Sequence, residues 1–474
     1  MKPNMDHQNS DTSSNLPRAV LIKGNVERAI FNLQSENHGV QTTGDNMEIS
    51  QVVQPPQEGA PSQASAGEPA PPDFQSEMEL KDFLQKWVRE QWKSVASGGT
   101  GRSGNVLLKA RWQGRPALLK VSADAFGLRS EAAHLDELGK QGVGLSVARL
   151  FALAEVVEGD DRWLGYLMEP VGEMSLRDYL FTATPSPQRY LAGVGTGLAA
   201  LYCRTARPST RDFVADYVRA IRDSVEKARG FAPFAGLSAC FEGKLHVKST
   251  DIAGPGVLLT GLEQRVKAGD SRLRSLNPAH DCHVHGDLHF ENVRVNPADA
   301  ALGLHWLIDP KEFERGDYVY DLAKLLTSLT GHAHADIGEH EQGNPRLKWT
   351  AAGNGRIDFN CILTKRQVQG WQQGLAAIEA LACDVAPRLE NTGSNARDAA
   401  GKAAVLRMKR RLLLALSRHF FSAVRFFLKP EAQWLLFARG AQFLALFQES
   451  LEESPLERWD LFQVCREYAW LETA

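Results

Sequence analysis

The run His285-Gly286-Asp287-Leu288-His289-Phe290-Glu291-Asn292 concentrates groups that can do chemistry within eight residues. Asp287 stands five residues before Asn292, and a second acid follows in Leu307-Ile308-Asp309-Pro310. Transfer to a hydroxyl needs a group that accepts or orients the hydroxyl proton, and a carboxylate such as Asp287 serves that purpose. Magnesium is a hard cation that takes oxygen ligands, which Asn292 offers as an amide oxygen and Asp309 as a carboxylate. His285 can hold the loop through backbone hydrogen bonds, and His289 can do the same or face a substrate. Singly, each is an ordinary turn residue. The joint pattern H-G-D-x-H-x-x-N arises by chance on the order of once in ten thousand chains this long. The chemistry it suggests is phosphoryl transfer from a magnesium-bound nucleotide.

The H-G-D-x-H-x-x-N loop resembles that of the aminoglycoside phosphotransferase and choline kinase superfamily, relatives of the protein kinases. The resemblance implies an α+β, two-lobed protein-kinase-like fold, with a small β-rich N-lobe and a large, mainly helical C-lobe. It further implies ATP with Mg2+ as donor, Asp287 as base, and Asn292 with Asp309 as metal ligands. One departure stands out. Pro310 follows Asp309, where protein kinases carry Phe-Gly and the phosphotransferases often carry Trp or Phe.

Such a site needs phosphate-handling groups upstream. Gly99-Thr100-Gly101-Arg102-Ser103-Gly104-Asn105-Val106 reads G-x-G-x-x-G-x-V. Its glycines let backbone N–H groups approach phosphate oxygens. The next segment is strand-like, so the loop is hairpin-borne rather than the opening of a dinucleotide-binding helix. Lys120 closes Ala117-Leu118-Leu119-Lys120 and resembles the strand lysine of kinases. Glu131, in a helix expected over Ser130 to Leu138, is the preferred partner for it, with Glu137 as competitor. Leu167-Met168-Glu169-Pro170-Val171-Gly172 resembles the hinge between lobes, where backbone groups from Glu169 to Val171 would meet the adenine edge. Pro170 has no N–H, which favours Val171 as donor. Ser175 reads as the N-cap of the helix that follows.

Around these residues the pattern divides. Residues 1–76 read as a weakly structured tail, dominated from Val52 to Asp73 by Pro, Gln, Ala, Ser, Gly and Glu. Arg18 to Ile22 is a lone strand-like blip, and the tail is a candidate for recruiting a protein partner. Residues 77–170 form the expected N-lobe. Leu80, Phe83, Leu84 and Trp87 recur at helical spacing. Val106 to Trp112 and Ala117 to Ser122 form a hairpin, and Ala148 to Val157 with Trp163 to Glu169 supply two more strands. Residues 171–474 form the C-lobe, helical apart from short strands around 283–309, and helical throughout 365–474. The basic run Arg407, Lys409, Arg410, Arg411, Arg418, Arg425 reads first as a solvated helix face and second as a site for an anionic acceptor.

The acceptor class follows from one interval. Gly316-Asp317-Tyr318-Val319-Tyr320-Asp321-Leu322-Ala323 resembles the G-D-x-x-x-D-L-A element of small-molecule phosphotransferases, in which Asp321 would bind the catalytic loop through backbone N–H groups. Asp321 lies only twelve positions after Asp309, and no A-P-E motif occurs. That leaves no room for a peptide-docking activation segment, so a small-molecule acceptor is expected. A kinase-fold protein acting on or regulating a protein partner is the alternative. The net charge of -3 excludes a broad nucleic-acid-binding field. No apolar run is long enough to span a bilayer. The six cysteines form no C-x-x-C pair, which suits a cytoplasmic protein without zinc or a disulfide framework.

Overall fold

A computed structural model describes residues 71–97, 105–142, 144–158, 161–182, 186–234, 238–247, 250–311, 315–332, 347–352, 356–363, 365–390, 399–427, 429–452, 465 and 471–473. The fold is α+β, two-lobed and protein-kinase-like, with a small β-rich N-lobe and a large, mainly helical C-lobe. The Gly99 to Gly104 loop and the Arg18 to Ile22 segment lie outside the described residues.

The N-lobe is a five-stranded sheet, and it begins with Asp73–Phe74, inside the stretch 1–76 expected to be weakly structured, because Phe74 packs into the core of the sheet. Its strands run in the order Asp73–Phe74, Val106–Trp112, Arg115–Ser122, Asp161–Met168, Leu150–Glu158. Gln113 and Gly114 both adopt positive φ, 51° and 77°, which closes the first hairpin in the turn geometry that matches strand twist. Side chains alternate along Arg115–Ser122. Ala117, Leu119 and Val121 pack under the helix Glu77–Ser97, with Phe74, Leu80 and Leu84. Leu118 packs on the opposite face with Leu128 and Leu135, and Lys120 shares that face by the period of two. The helix Ala125–Lys140 lies across it, capped by the Asp124 carboxylate, which accepts from Gly127 N at 2.9 Å. Leu84 seats directly over Gly165, where a Cβ would come within 2.7 Å of its methyl.

A second sheet joins the lobes. Ser146–Val147, His305–Leu307, Val293–Val295 and Met174–Ser175 lie side by side in that order, so N-lobe and C-lobe backbones share one ladder. The loop carrying Asp287 enters it and the Asp309 segment leaves it.

The C-lobe buries one large cluster among helices, of which Ala399–Ala423 contacts four others: Phe213–Arg229, Val319–Thr327, Lys365–Glu390 and Pro430–Glu452. Two sequence expectations change here. Beyond the strands near 283–309, the C-lobe holds a further sheet from Lys244–Val247, Thr250–Ala253, Leu347–Ala352, Arg356–Leu363 and Leu471–Thr473, so 365–474 is not wholly helical. Arg411 does not lie on a solvated face. It is fully buried, and its Nε and Nη2 donate to Asp317 at 2.9 and 3.2 Å while Nη2 also bonds Glu390. No helix among the described residues is long and apolar enough to cross a membrane.

Candidate active site

The loop that carries Asp287 is held from beneath. Asp321, fully buried in the helix Val319–Thr327, accepts from His285 N at 2.7 Å and Gly286 N at 2.9 Å. Tyr202 Oη adds a third donor at 3.0 Å. Burial pushes the Asp321 carboxyl up to about 6, against the opposing pull of those backbone donors. Gly286 sits at φ 79°, a backbone state that glycine adopts without strain. His285 accepts from Asp287 N through Nδ1 at 3.3 Å, and burial drives the ring down to about 3, so it stays a neutral acceptor. Leu288 and Phe290 anchor the loop in the core.

Asn292 is locked to Asp287. Its Nδ2 donates to the Asp287 carbonyl at 2.9 Å, which leaves the amide oxygen as the other end of the group. Its own carbonyl accepts from Ile308 N at 3.0 Å, which ties this loop to the Asp309 segment. Asp309 adopts φ 56°, an uncommon left-handed conformation for a non-glycine residue and one that aspartate tolerates.

The sheet face opposite the Glu77–Ser97 helix meets this segment directly. Lys120 Nζ donates to both oxygens of Glu131, at 2.8 and 3.0 Å, and to Asp309 Oδ1 at 3.2 Å. Burial alone would lower the Lys120 ammonium, but Asp309 and Glu131 raise it above its ordinary value. Tyr166, the cross-strand neighbour of Lys120, donates to Glu131 Oε1. Glu131 rather than Glu137 is therefore the partner of Lys120. Glu137 instead accepts from Gln141 Nε2 at 2.7 Å.

Asp287 lies among cations. Lys324 Nζ is 2.7 Å from Oδ1 and Lys311 Nζ 3.5 Å from Oδ2. His289 Nε2 approaches Oδ1 at 3.9 Å while its Nδ1 bonds Glu291 at 2.7 Å, and Arg177 Nη1 holds Glu291 at 2.7 Å. Burial acts to raise the Asp287 carboxyl, yet Lys324, His289 and Lys311 together hold it well below the usual carboxylate range. Sequence reading did not single out Lys324, Lys311, Tyr166, Tyr202 or the Glu291–Arg177 pair. Two of these left a signal. Lys324 is three residues past Asp321 on the same helix face, and Tyr166 pairs with Lys120 across two adjacent antiparallel strands.

The hinge residues lie at the edge of this arrangement. Glu169 N is spent on the Arg149 carbonyl at 2.8 Å. The half-buried Val171 packs against the cluster that includes Leu128 and Met168, and no backbone bond engages its N–H among the described residues. Gly172 turns at φ 61° against Arg294 and Val295, where a Cβ would meet Val295 N at 2.7 Å.

Fold and site together define a protein of the kinase-like, two-lobed class. The sequence profile of the phosphotransferase enzyme family matches residues 100–352, just over half of the chain, and the chain belongs to that family. No curated protein matches it. Among solved structures it is similar to a type VIII aminoglycoside-3'-phosphotransferase, at 20% identity over 65% of this chain and 89% of that one, with a TM-score of 0.33. It is also similar to a thermostable mutant of an aminoglycoside phosphotransferase solved with ADP and hygromycin B, at 15% identity over 77% and 98%, TM-score 0.39. An ethanolamine kinase of Plasmodium vivax aligns at 10% identity over 84% and 88%, TM-score 0.35.

Proposed function

We propose that the protein is a Mg2+- and ATP-dependent kinase that moves the γ-phosphoryl group to a hydroxyl of a small molecule, such as a sugar, an amino sugar, a choline-like compound or a related metabolite. The observation that carries this reading is the meeting of Lys120 with both Glu131 and Asp309, beside an Asn292 bonded to the Asp287 backbone. In this reading the lobes are 77–170, extended at its start by the strand Asp73–Phe74, and 171–474; the chain ahead of that strand is a tail that recruits a protein partner, and the protein works in the cytoplasm.

The residues present fit a magnesium nucleotide. Asn292 offers an amide oxygen and the partly exposed Asp309 a carboxylate, both hard donors. Among the described residues no group of three or more His, Cys, Asp or Glu forms a metal cage. A cation held by two protein oxygens takes its remaining ligands from phosphate and water. When bound, the cation would neutralise charge on the transferring phosphate oxygens.

Each protein group then has a task. Lys120, oriented by Glu131, steadies the α- and β-phosphates. The Gly99, Gly101 and Gly104 backbone covers them, and the Val171 and Glu169 region receives the base. Asp287 orients the acceptor hydroxyl. Because Lys324 and Lys311 stabilise its charged form, it is a weak base, suited to accept the proton late, as phosphoryl transfer nears completion. His285 keeps the loop in shape, and His289 braces Asp287 from the Glu291 side.

Isotope transfer from γ-labelled ATP tests the reading, with a small-metabolite library in one arm and lysate protein in the other. Label on metabolites supports it. Label on protein alone supports the alternative, a kinase acting on a protein partner. Asp287→Asn should abolish transfer while nucleotide still binds, and wild-type turnover in that variant would refute the mechanism.

A further inference from the structure

A cavity of about 230 Å³ adjoins the loop that carries Asp287. Val284, one residue ahead of His285, forms part of its wall. Tyr320 forms another part, one helical turn before Lys324, whose ammonium bonds Asp287. No residue of the Lys120 and Glu131 cluster lines it. The cavity therefore lies on the Val284 and Tyr320 side of the loop, apart from that cluster.

The charges of the wall do not cancel. Two carboxylates face the cavity, and both are engaged. Asp317 has both oxygens on the buried Arg411 and also accepts from Tyr217 Oη at 3.2 Å. Asp216 lies 3.4 Å from Arg211 and 3.5 Å from Arg219. The arginines differ in the donors that they leave open to the cavity. Arg315 bonds Asp281 through Nε at 2.7 Å, and Nη2 donates to the carbonyls of Thr205 and Asp281. Its Nη1 has no hydrogen-bond partner among the described residues, but it is buried and presents no surface to the cavity. Arg418 has no carboxylate partner among the described residues. Its guanidinium is held by ring faces, 4.8 Å from the centroid of Tyr320 and 5.5 Å from that of Tyr217.

A guanidinium carries five N–H donors in a planar fork that matches a carboxylate or phosphate. Ring faces hold its plane and satisfy none of those donors. We infer that this cavity binds an anionic group on the acceptor, a carboxylate or a phosphate monoester, with Arg418 as its donor. Naming the bound molecule the acceptor rests on the phosphotransferase reading. A polycationic amino sugar would meet like charge at this wall, which narrows that reading to acidic metabolites.

Calorimetric titration of the full chain without nucleotide tests this separately from catalysis. The probes are four hexose derivatives that differ in one group: glucuronate, glucose 6-phosphate, methyl glucoside and glucosamine. At least one anionic probe should bind about tenfold more tightly than the neutral and amino probes. Arg418→Met, which keeps the apolar stem over the rings, should remove about tenfold of that affinity, and Arg418→Lys should retain part of it. Stronger binding by glucuronate identifies a carboxylate, and stronger binding by glucose 6-phosphate a phosphate. Equal affinities, preference for glucosamine, no binding of either anion, or unchanged anion binding in both Arg418 variants would overturn the inference. Failure of label transfer from ATP would sink the phosphotransferase reading and leave the binding result standing.

Discussion

Lys324 Nζ lies 2.7 Å from Asp287 Oδ1, and this contact sets the charge of the carboxylate at the centre of the loop. Burial would raise Asp287, yet Lys324, followed by His289 and Lys311, holds it well below the ordinary range. A carboxylate so stabilised stays ionised wherever the protein is folded near neutrality. Its stabilising contribution is present above the unfolded value of about 3.9 and is lost only as pH falls through the low folded value.

Lys324→Met removes the first-named cation and lets Asp287 rise. The acid limb of the kcat/KM profile should move to higher pH, and kcat at neutral pH should drop by about tenfold or more as the hydroxyl loses its fixed acceptor. A pH–rate profile against wild type checks both. An acid limb that stays in place would show that Lys324 does not set this charge.

Glu131→Gln leaves Lys120 with one carboxylate partner in place of two. The KM for ATP should rise by about tenfold, and the dissociation constant of a fluorescent ATP analogue should rise with it. Lys120→Met should cost more, because it deletes the charge rather than its orientation. Unchanged nucleotide affinity in both variants would remove this pair from the nucleotide site.

Arg411→Met should destabilise the fold by about 3–5 kcal/mol, since it leaves Asp317 and Glu390 buried beside each other without their cation. Urea unfolding reads this directly. The triple variant Arg411→Met, Asp317→Asn, Glu390→Gln should recover much of the loss, because no buried charge is then left unpaired.

His289 gives a pH dependence of opposite sign to Asp287. Burial would lower the ring, but Glu291 and then Asp287 raise it above its ordinary value. The stability from this pairing is full below the unfolded imidazole value of about 6.5 and fades as pH climbs through the raised folded value. The unfolding midpoint of wild type should therefore fall between pH 6 and pH 9 more than that of His289→Gln. Parallel curves for the two proteins would count against the pairing.

Some of this site was readable before any coordinates. Lys120 stands at the end of a strand-like run, and the helix after it offers Glu131 for pairing. The interval from Asp309 to Asp321 matched a short element in which Asp321 binds the backbone of His285 and Gly286. Arg411 was misread for a specific reason. Helical periodicity separates one apolar face from one polar face, but the helix Ala399–Ala423 packs against four neighbours, which leaves Arg411 no solvent to face. Lys324 was passed over because its partner lies on another element.

Residue order by itself determined the chemical types available and the face on which each one falls, because strand and helix periods act within a single element. It also determined the spacing of the Asp287 loop, which is local. Only the tertiary structure decided which distant groups meet. Lys120 reaches Asp309 across 189 residues, Arg411 reaches Asp317 across 94, and Arg418 finds the rings of Tyr217 and Tyr320 on two other helices. Those meetings depend on how the lobes and helices pack, and packing is set by the whole core rather than by any one segment.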